Sequence, residues 1–344
     1  MKQTKVLIVG AGPAGSTCGY LLKKAGVDCI LIDHATFPRD KICGGGLTLK
    51  SQLLLKELMP DFHYDYNPVT RVKLDIDDEA RCEFEIADPI RVVQRKVFDN
   101  ALLQQYQSIG GQFMKASLHT IEEKDGQVIV TLKSGEQVAC QYLVGADGSN
   151  SRVRRHLNPD TGFSILAMEQ YVEKQDPHTI SIGLSRTYSA GGYYYRFPTS
   201  DFDIAGYGDF NTTRETFRQV MQKKGIPEGK IRGAYINMSI DYPLNDHILL
   251  IGDAGGFANR STSEGLFDAF FTAKNAAEAI ITNRPFREVN DSVFQKMKHE
   301  EWMKSWFYTD RCFKVLKWMC KHPGIIKWIF DTKMRRETRL VKKS

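Results

Sequence analysis

Five residues near the start of the chain have the types and spacing that could hold a diphosphate. Gly10, Gly12 and Gly15 follow the pattern G-x-G-x-x-G, and Pro13 and Ala14 stand between the last two glycines. The first glycine permits a tight turn, the second lets the backbone approach a pyrophosphate without a Cβ, and the third lets a helix pack close to a strand. The N–H groups and positive dipole at the helix start would favour bound phosphates. We therefore predict a dinucleotide-binding turn.

The elements that must position this turn flank it. An aliphatic run at 5–9 is typical of a short buried strand, and a second strand at 28–32 ends on Asp33. An acid about twenty residues beyond the glycines can accept hydrogen bonds from the ribose hydroxyl groups of adenosine. A glycine pattern alone is weak evidence, but strand, helix and acid together make it specific.

A second glycine-rich stretch, Lys-Ile-Cys-Gly-Gly-Gly, occupies residues 41–46. Gly44, Gly45 and Gly46 allow the backbone to lie flat against a planar group or to adopt a positive φ; a flexible turn is the alternative. Cys43 is a candidate to face a cofactor or substrate, although a thiol also serves as a small buried hydrophobe.

Two later strands also end on an acid beside glycine. Asp147 precedes Gly148, and Asp253 follows Gly252, each after a buried apolar run. A long helix is predicted from about residue 263 to 281. We expect these strand ends to complete the cofactor site.

The remaining segments predict sheets and a basic tail. Strands are expected at 69–76 and 81–86, and a three-stranded meander at 117–140. Residues 163–210 combine β-like patterning with many aromatic side chains, which form either the wall of an apolar pocket or an ordinary sheet core. The aromatic residues are Phe163, Tyr171, Tyr188, Tyr193, Tyr194, Tyr195, Phe197, Phe202, Tyr207 and Phe210.

Composition excludes several classes of protein. The 344 residues are 42% hydrophobic and 26% charged, which is ordinary for a soluble globular protein. No basic segment precedes a long apolar one at the N-terminus, so we expect neither a signal peptide nor a membrane span, and a cytoplasmic location. Seven scattered cysteines without C-x-x-C predict reduced thiols and no metal site.

Taken together, the motifs resemble a known superfamily of flavoproteins. The elements at 10–15, 146–148 and 252–254 resemble those of the group A flavin monooxygenases and reductases with the para-hydroxybenzoate hydroxylase fold. That resemblance implies FAD, rather than NAD, as the bound dinucleotide. Residues 38–47 are similar to the P-x-x-K-x-C-G-G-G-L signature of the geranylgeranyl reductase family, and 192–198 to its G-Y-x-W-x-F-P, with tyrosine in place of tryptophan.

Other matches to the family lie at Gly252–Phe257 and at Glu264-Gly265. The segment at 145–157 is similar to the family's bacterial branch, which includes the colicin M resistance protein.

The implied fold is α/β, with a discontinuous Rossmann-like FAD-binding domain, an inserted antiparallel-sheet substrate domain and a helical tail. The expected bounds are 1–68, 90–160 and 242–285 for the first, 69–89 and 161–241 for the second, and 286–344 for the tail.

The resemblance also implies roles for individual residues. Cys43 and Tyr195 are the predicted catalytic residues. Arg260 lies where the superfamily usually has a proline, and it would stabilise reduced flavin, meet an anionic substrate group or point to solvent. The predicted cofactor-binding residues are Gly10, Gly12, Pro13, Ala14, Gly15, Asp33, Lys41, Gly44, Gly45, Arg95, Asp147, Gly252, Asp253 and Gly265. The predicted substrate-binding residues are Gly46, Tyr193, Tyr195, Phe197 and Arg260.

The implied reaction is reduction of carbon–carbon double bonds in a prenyl lipid. An unpolarised alkene resists hydride, so a proton must reach one carbon as reduced flavin gives hydride to the other, in a dry pocket with a placed acid. Electrons would come from a transiently docking NAD(P)H or a ferredoxin-like donor, since no second nucleotide fold is recognised. The alternatives are a monooxygenase hydroxylating an aromatic or lipid substrate, and a non-catalytic redox sensor that docks on membranes. A halogenase is disfavoured because W-x-W-x-I-P is missing from the sequence.

The C-terminal tail carries the basic charge of the chain. Residues 291–344 contain 14 Lys and Arg against 6 Asp and Glu, whereas the whole chain has a net charge of +6. Aromatic residues, including Trp302, Trp306, Trp318 and Trp328, alternate with these bases. Such a surface can rest on anionic lipid at the inner face of a membrane, or it forms a helical cap that packs on the FAD domain. Nucleic acid is not expected as a partner, because no binding module accompanies the charge.

Overall fold

The computed structural model describes residues 1–159, 164–189, 191–239 and 241–342. The expected domain boundary at 160–161 and Phe163 lie outside the described residues, as do the side chains at 304–306, 340 and 342, including that of Trp306. The strands are β1 (Lys2–Val9), β2 (Cys29–Asp33), β3 (Gly46–Leu47), β4 (Asn67–Ile76), β5 (Ala80–Val92), β6 (Gln112–Lys115), β7 (Leu118–Lys124), β8 (Gln127–Leu132), β9 (Gln137–Gly145), β10 (Ser164–Val172), β11 (Thr179–Leu184), β12 (Tyr193–Pro198), β13 (Asp203–Asp209), β14 (Arg232–Asn237) and β15 (Ile248–Leu250). The helices are α1 (Pro13–Lys24), α2 (Leu49–Leu58), α3 (Arg95–Ser108), α4 (Arg152–Leu157), α5 (Arg214–Lys223), α6 (Leu266–Thr282), α7 (Phe286–Val289), α8 (Asp291–Phe307), α9 (Asp310–Cys320), α10 (Pro323–Glu337) and α11 (Arg339–Lys342).

The first sheet carries the dinucleotide turn. Its strand order is β6-β2-β1-β9-β8-β7, with β15 beside the second half of β9. β6, β2, β1, β9 and β15 are mutually parallel along this order, and α1, α3 and α6 pack together on one face. The glycine turn, Asp33 and the residues after β9 and β15 therefore meet at one edge, the carboxyl ends of the parallel strands. The predicted meander is the antiparallel β7-β8-β9 extension.

The second sheet lies in the order β14-β10-β13-β12-β11-β4-β5-β3. Most of its neighbouring strands are antiparallel, as expected, but β4 and β11 pair in parallel, so the sheet is mixed. It also begins earlier than the bounds expected for this domain, because β4 starts at Asn67 and β3 adds Gly46 and Leu47 at the edge. β3 is part of the glycine-rich loop. The loop is therefore tied directly to the second sheet.

Two other elements differ from the sequence predictions. β5 continues as a single strand to Val92, beyond the expected end at 86, and Arg95 is the first residue of α3. α6 begins at Leu266, not near 263, because Ser263 has φ of +54° and belongs to the preceding turn.

The tail is helical and joins both halves of the molecule. α8 packs beside α7 through Val293 and Met297, which belong to the same buried cluster as α6. α9 and α10 instead cover β4 and β5, with Phe313 and Ile326 buried there. Of the described helices, none is long and apolar enough to cross a membrane.

Candidate active site

The glycine turn after β1 has the close contacts that its sequence predicts. Gly10 has φ of +107°, and a Cβ on it would lie 2.3 Å from the carbonyl oxygen of Ala146. A Cβ on Gly15 would lie 1.8 Å from the carbonyl oxygen of Gly10, so only glycine lets α1 pack on the turn. At Gly12 the nearest contact for such an atom is the flexible end of Arg39, at 3.3 Å. The backbone there is open to a pyrophosphate.

The residues around the turn supply donors and acceptors that suit a dinucleotide. α1 begins with Pro13, so the N–H groups of Ala14 and Gly15 point out of its first turn. Asp33 is buried, and its carboxylate accepts the Ala11 amide at 2.7 Å and the Ala35 amide at 2.8 Å. These bonds fix the carboxylate at the end of β2, where its remaining lone pairs can meet ribose hydroxyl groups.

The two later acids take different positions. Asp147 caps α4 by accepting the Arg152 amide at 2.7 Å through Oδ2, while its buried Oδ1 has no hydrogen-bond partner among the described residues. Asp253 is partly exposed after β15, 3.5 Å from the Ser149 hydroxyl. A Cβ on Gly265 would lie 3.1 Å from Asp253 Oδ1, so this acid lies beside the start of α6. Gly252, with φ of +55°, makes the turn between β15 and this acid.

The glycine-rich loop packs against one aromatic ring. A Cβ on Gly44 would lie 2.9 Å from the ring of Phe197, and a Cβ on Gly46 would lie 2.8 Å from the same ring. Gly45 has φ of +75°, and its carbonyl accepts the Val93 amide at 2.9 Å. The loop is therefore held flat between β12 and the β5–α3 connection, and its glycines are required by contacts with the protein itself.

Two arginines meet a buried acid beside this loop. Arg95 donates to both oxygens of Asp99, at 2.7 and 2.8 Å, and Arg39 lies 3.3 Å from the same carboxylate. The Cys43 side chain also contributes to the electrostatic environment of Arg95. Arg95 thus connects α3 to the loop. Lys41, also predicted as a cofactor residue, is half-buried and contributes to the electrostatic environment of Glu169.

A charged cluster fixes the segment before α6. The Glu264 carboxylate accepts Thr48 Oγ1 at 2.6 Å and Ser51 Oγ at 3.1 Å, and it pairs with buried Lys50 at 2.9 Å. Lys50 also pairs with Glu337 of the tail at 2.9 Å. The start of α6, next to Gly265, is therefore attached to α2 and α10.

Arg260, a predicted substrate residue, is fully buried. Its guanidinium donates to the carbonyls of Gly256, Ala258 and Ser239, at 2.7, 3.0 and 2.8 Å. These contacts fold the segment between β15 and α6. Solvent exposure, one of the three alternatives for this residue, does not occur, and its role toward a substrate stays a prediction.

The aromatic residues of β12 divide between the two faces of the second sheet. Tyr193, Tyr195 and Phe197 form a row of rings on the loop side, with neighbouring centroids 6.1 and 5.7 Å apart. Tyr194 is buried on the other face with Tyr207, beneath α5. The aromatic-rich region therefore supplies both a wall beside the loop and an ordinary sheet core.

Strand register brings Tyr195 to an acid that the sequence did not reveal. Tyr195 on β12 is opposite Gly206 on β13, which is opposite Glu169 on β10. A Cβ on Gly206 would lie 2.1 Å from Cζ of Tyr195, so the phenol lies across this glycine. Its hydroxyl is 3.4 Å from Oε2 of Glu169.

Glu169 is 1% exposed. Burial raises the pKa of Glu169 to about 7, although Arg232, the Tyr195 hydroxyl and the Cys43 amide act in the opposite direction. Burial also raises the pKa of Tyr195 well above its ordinary value, and the charge of Glu169 adds to this effect. In the sequence, the only local sign of this site was a charged residue, Glu169, within the largely apolar run 164–172. The partners of Glu169 could not be predicted, because they lie on strands that are distant in sequence.

The arrangement fits FAD in chemical terms. The turn and the α1 N-terminus suit a diphosphate, Asp33 suits a ribose, and Asp253 lies at the end of β15 beside Gly265. Such a site, on a parallel sheet joined to a second sheet with an aromatic face, defines an FAD-dependent oxidoreductase as the class of protein.

Comparison with known proteins identifies the family. The family model of the FAD binding domain matches residues 3–177. The chain is 30% identical over 299 residues to an uncharacterised protein of Methanosarcina barkeri, covering 81% of this chain and 75% of that protein. It is 24% identical to the chloroplastic geranylgeranyl diphosphate reductase of Arabidopsis thaliana, covering 92% and 74% of the two chains.

The fold is likewise that of a solved structure, a geranylgeranyl bacteriochlorophyll reductase-like protein from Thermoplasma acidophilum. The TM-score is 0.73 at 19% identity, and the alignment covers 97% of this chain and 88% of the other. The chain belongs to the geranylgeranyl reductase family of FAD-dependent oxidoreductases. The expected fold, flavin cofactor and enzyme class are confirmed.

Proposed function

We propose that this protein reduces carbon–carbon double bonds of a prenyl lipid, with FAD as its cofactor. The observation that carries the proposal is the row of Tyr193, Tyr195 and Phe197, which faces the family's glycine-rich loop. Apolar rings on this face provide the dry surroundings that an isolated alkene requires. When bound, FAD would supply the hydride, and the electrons would reach it from NAD(P)H or a ferredoxin-like donor.

The chain's own residues would then hold the two reactants. The α1 N-terminus, Asp33 and Asp253 would bind the diphosphate and sugar parts of FAD, and Arg95 would hold Cys43 at the flavin side of the loop. Tyr193 is fixed by a hydrogen bond to the carbonyl of Thr262, so its ring orients the apolar wall. Tyr195 stays protonated because burial raises its pKa, and its O–H is available as a donor.

The test is anaerobic. Dithionite-reduced protein is mixed with geranylgeranyl diphosphate, flavin absorbance is followed, and products are analysed by mass spectrometry. Reoxidation by the lipid, with a gain of two hydrogens for each reduced bond, is the expected result. Reoxidation that begins only when oxygen enters, through a transient hydroperoxide spectrum, would replace this proposal with a monooxygenase. Cys43→Ala and Tyr195→Phe are expected to slow the step, and Cys312→Ala in α9 is the matched thiol control.

We also propose that the tail docks on anionic lipid, from which a prenyl substrate would enter. Trp318 of α9 and Trp328 of α10 are 53% and 67% exposed, and Trp302 of α8 is 63% exposed. Lys314 and Lys321 are exposed beside them. Exposed indole rings flanked by lysines suit the interface between headgroups and acyl chains.

Vesicle co-sedimentation tests this contact. We expect binding to vesicles with phosphatidylglycerol, weaker binding at high salt, and at least about a tenfold loss for the double variant Trp318→Ala and Trp328→Ala. Tyr235→Ala is the control, because Tyr235 is 50% exposed on β14, outside the tail. Equal binding by the control and the double variant would contradict docking through the tail. Binding that changes with flavin redox state, without turnover of prenyl lipid, would instead favour the redox sensor.

A further inference from the structure

Glu169 is a buried acid in the candidate site to which the proposed function gives no role. Two side-chain donors lie beside it: the Tyr195 hydroxyl at 3.4 Å from Oε2 and Arg232 Nη2 at 3.4 Å from Oε1. Both distances are long for bonds to a carboxylate. A charge at this position is therefore poorly compensated, whereas a neutral carboxyl group with its own proton fits.

Tyr195 needs such a neighbour. Its burial opposes ionisation of the phenol. A tyrosine that gives up its proton under these conditions must regain one before the next turnover. The carboxyl group of Glu169 lies within reach of the phenol oxygen, on the same face of the sheet.

We propose that Glu169 and Tyr195 form a proton relay, in which the Tyr195 hydroxyl donates to the substrate and the Glu169 carboxyl group restores that proton. The first transfer depends on the proposed function, whereas the second is a property of the protein alone. Reduction of one double bond consumes one hydride, from reduced flavin, and one proton. The Tyr195 O–H bond breaks as the carbon–hydrogen bond forms, the Glu169 O–H bond breaks as the Tyr195 O–H bond forms again, and the carboxylate takes a proton from solvent.

This relay depends on features of this chain. The family motif has tryptophan where Tyr195 stands, and an indole N–H donates a hydrogen bond but does not exchange its proton with a carboxyl group. The phenol reaches Glu169 only because Gly206 has no side chain. The combination of Glu169, Gly206 and Tyr195 therefore distinguishes this site from one built on the usual motif.

The relay predicts a pH dependence. The charged and titratable groups that face Glu169 are Arg232 on β14, Tyr195 on β12 and Lys41 on the loop, where the backbone of Cys43 also contributes. Arg232 and Lys41 favour the carboxylate, but burial outweighs them and raises the pKa of Glu169 to about 7. The relay holds its proton below this pH and loses it above.

Infrared difference spectroscopy of the oxidised holoenzyme tests the proton store without substrate. Between pH 5.5 and 8.5 we expect loss of a protonated-carboxyl band with a midpoint near the pKa of about 7. The band should be missing in Glu169→Gln, shifted in frequency in Tyr195→Phe, and unchanged in Glu173→Gln. Glu173 is the control, since it follows the last residue of β10 and is exposed.

Single-turnover reoxidation by geranylgeranyl diphosphate tests the transfer to substrate. The wild-type rate should fall about tenfold per pH unit above the midpoint, and Glu169→Gln should be at least about 100-fold slower with a flat pH profile. Wild-type protein without a titrating carboxyl band, or a band that persists in Glu169→Gln, overturns the relay whatever the turnover. Turnover with the same rate and pH profile in both proteins also overturns it. If the band behaves as expected but no prenyl lipid is reduced, the proposed function is wrong and the proton store at Glu169 is supported.

Discussion

Replacing Glu169 with glutamine should stabilise the protein at alkaline pH and leave its stability almost unchanged in acid. Glutamine has nearly the volume of the protonated carboxyl group and carries no charge. Burial raises the pKa of Glu169 from 4.5 to about 7 in the folded protein. Between these values the folded state keeps a proton that the unfolded chain has lost. Wild-type stability therefore falls as pH rises through this interval, and the loss is complete above the folded pKa.

The magnitude follows from the size of the shift. About 2.5 pKa units, the difference between 4.5 and about 7, corresponds to about 3 kcal/mol at 1.36 kcal/mol per unit. Because part of this is already lost at pH 5, the advantage of the Gln variant should grow by about 2.5 kcal/mol between pH 5 and pH 8.5. The side chain is 1% exposed, so solvent screening does little to reduce the effect.

Urea unfolding at saturating FAD, followed by near-ultraviolet circular dichroism, measures this difference. Wild type, Glu169→Gln and Glu173→Gln are compared at pH 5, 7 and 8.5, and the exposed control should show no comparable growth. If the free energy of unfolding changes with pH by the same amount in wild type and Glu169→Gln, the buried carboxyl group ionises as it does in water. A variant less stable than wild type at pH 8.5 would mean that the ionised contacts with Arg232 and Tyr195 outweigh burial. Either result would refute the reasoning.

Three further substitutions test separate parts of the structure. Gly206→Ala would place a Cβ 2.1 Å from the ring of Tyr195 and should lower the free energy of unfolding by about 1–3 kcal/mol. Gly233→Ala is the control, because its Cβ would lie 3.5 Å from the nearest side-chain atom. Equal stability of the two variants would contradict the packing around Gly206. Asp253→Ala should weaken FAD binding at least about tenfold in fluorescence titration of the apoprotein, and Asp253→Asn should recover part of the affinity. Unchanged affinity in Asp253→Ala would mean that this acid does not bind the cofactor. Lys50→Met removes the buried ammonium group shared by Glu264 and Glu337 and should cost about 3–5 kcal/mol in urea unfolding. Lys56→Met on the exposed side of α2 should cost less than about 0.5 kcal/mol.

The cofactor half of the site could be predicted because its signals are local. Gly10, Gly15 and Asp33 lie within one strand–helix–strand unit, in which Gly15 packs on Gly10 and Asp33 accepts the Ala11 amide. The contact of Gly10 with Ala146 is with a distant segment, but the glycine spacing that marks the turn is local. The glycine-rich loop was recognised for the same reason. Its packing was not, since the ring that requires Gly44 and Gly46 to lack side chains comes from β12, about 150 residues later.

The second half of the site depends on pairing that no local pattern specifies. Glu169 and Tyr195 become partners only because both align with Gly206 across β13. A shift of one residue in either pairing would turn one of the two side chains to the opposite face. Sequence reasoning could therefore select Tyr195 through its motif, but it could not identify the acid beside it.

The glycines of the second sheet explain why these distant residues can meet. Tyr195 lies across Gly206, and Phe197 lies against Gly44 and Gly46, so each large ring fills the place where a neighbouring residue would have a side chain. Close packing of this kind leaves the phenol little freedom to rotate away from Glu169. It also places the loop that carries Cys43 beside the same acid, and the backbone of Cys43 lowers the pKa of Glu169 against the effect of burial. A displacement of the loop would therefore change the environment of the buried carboxyl group.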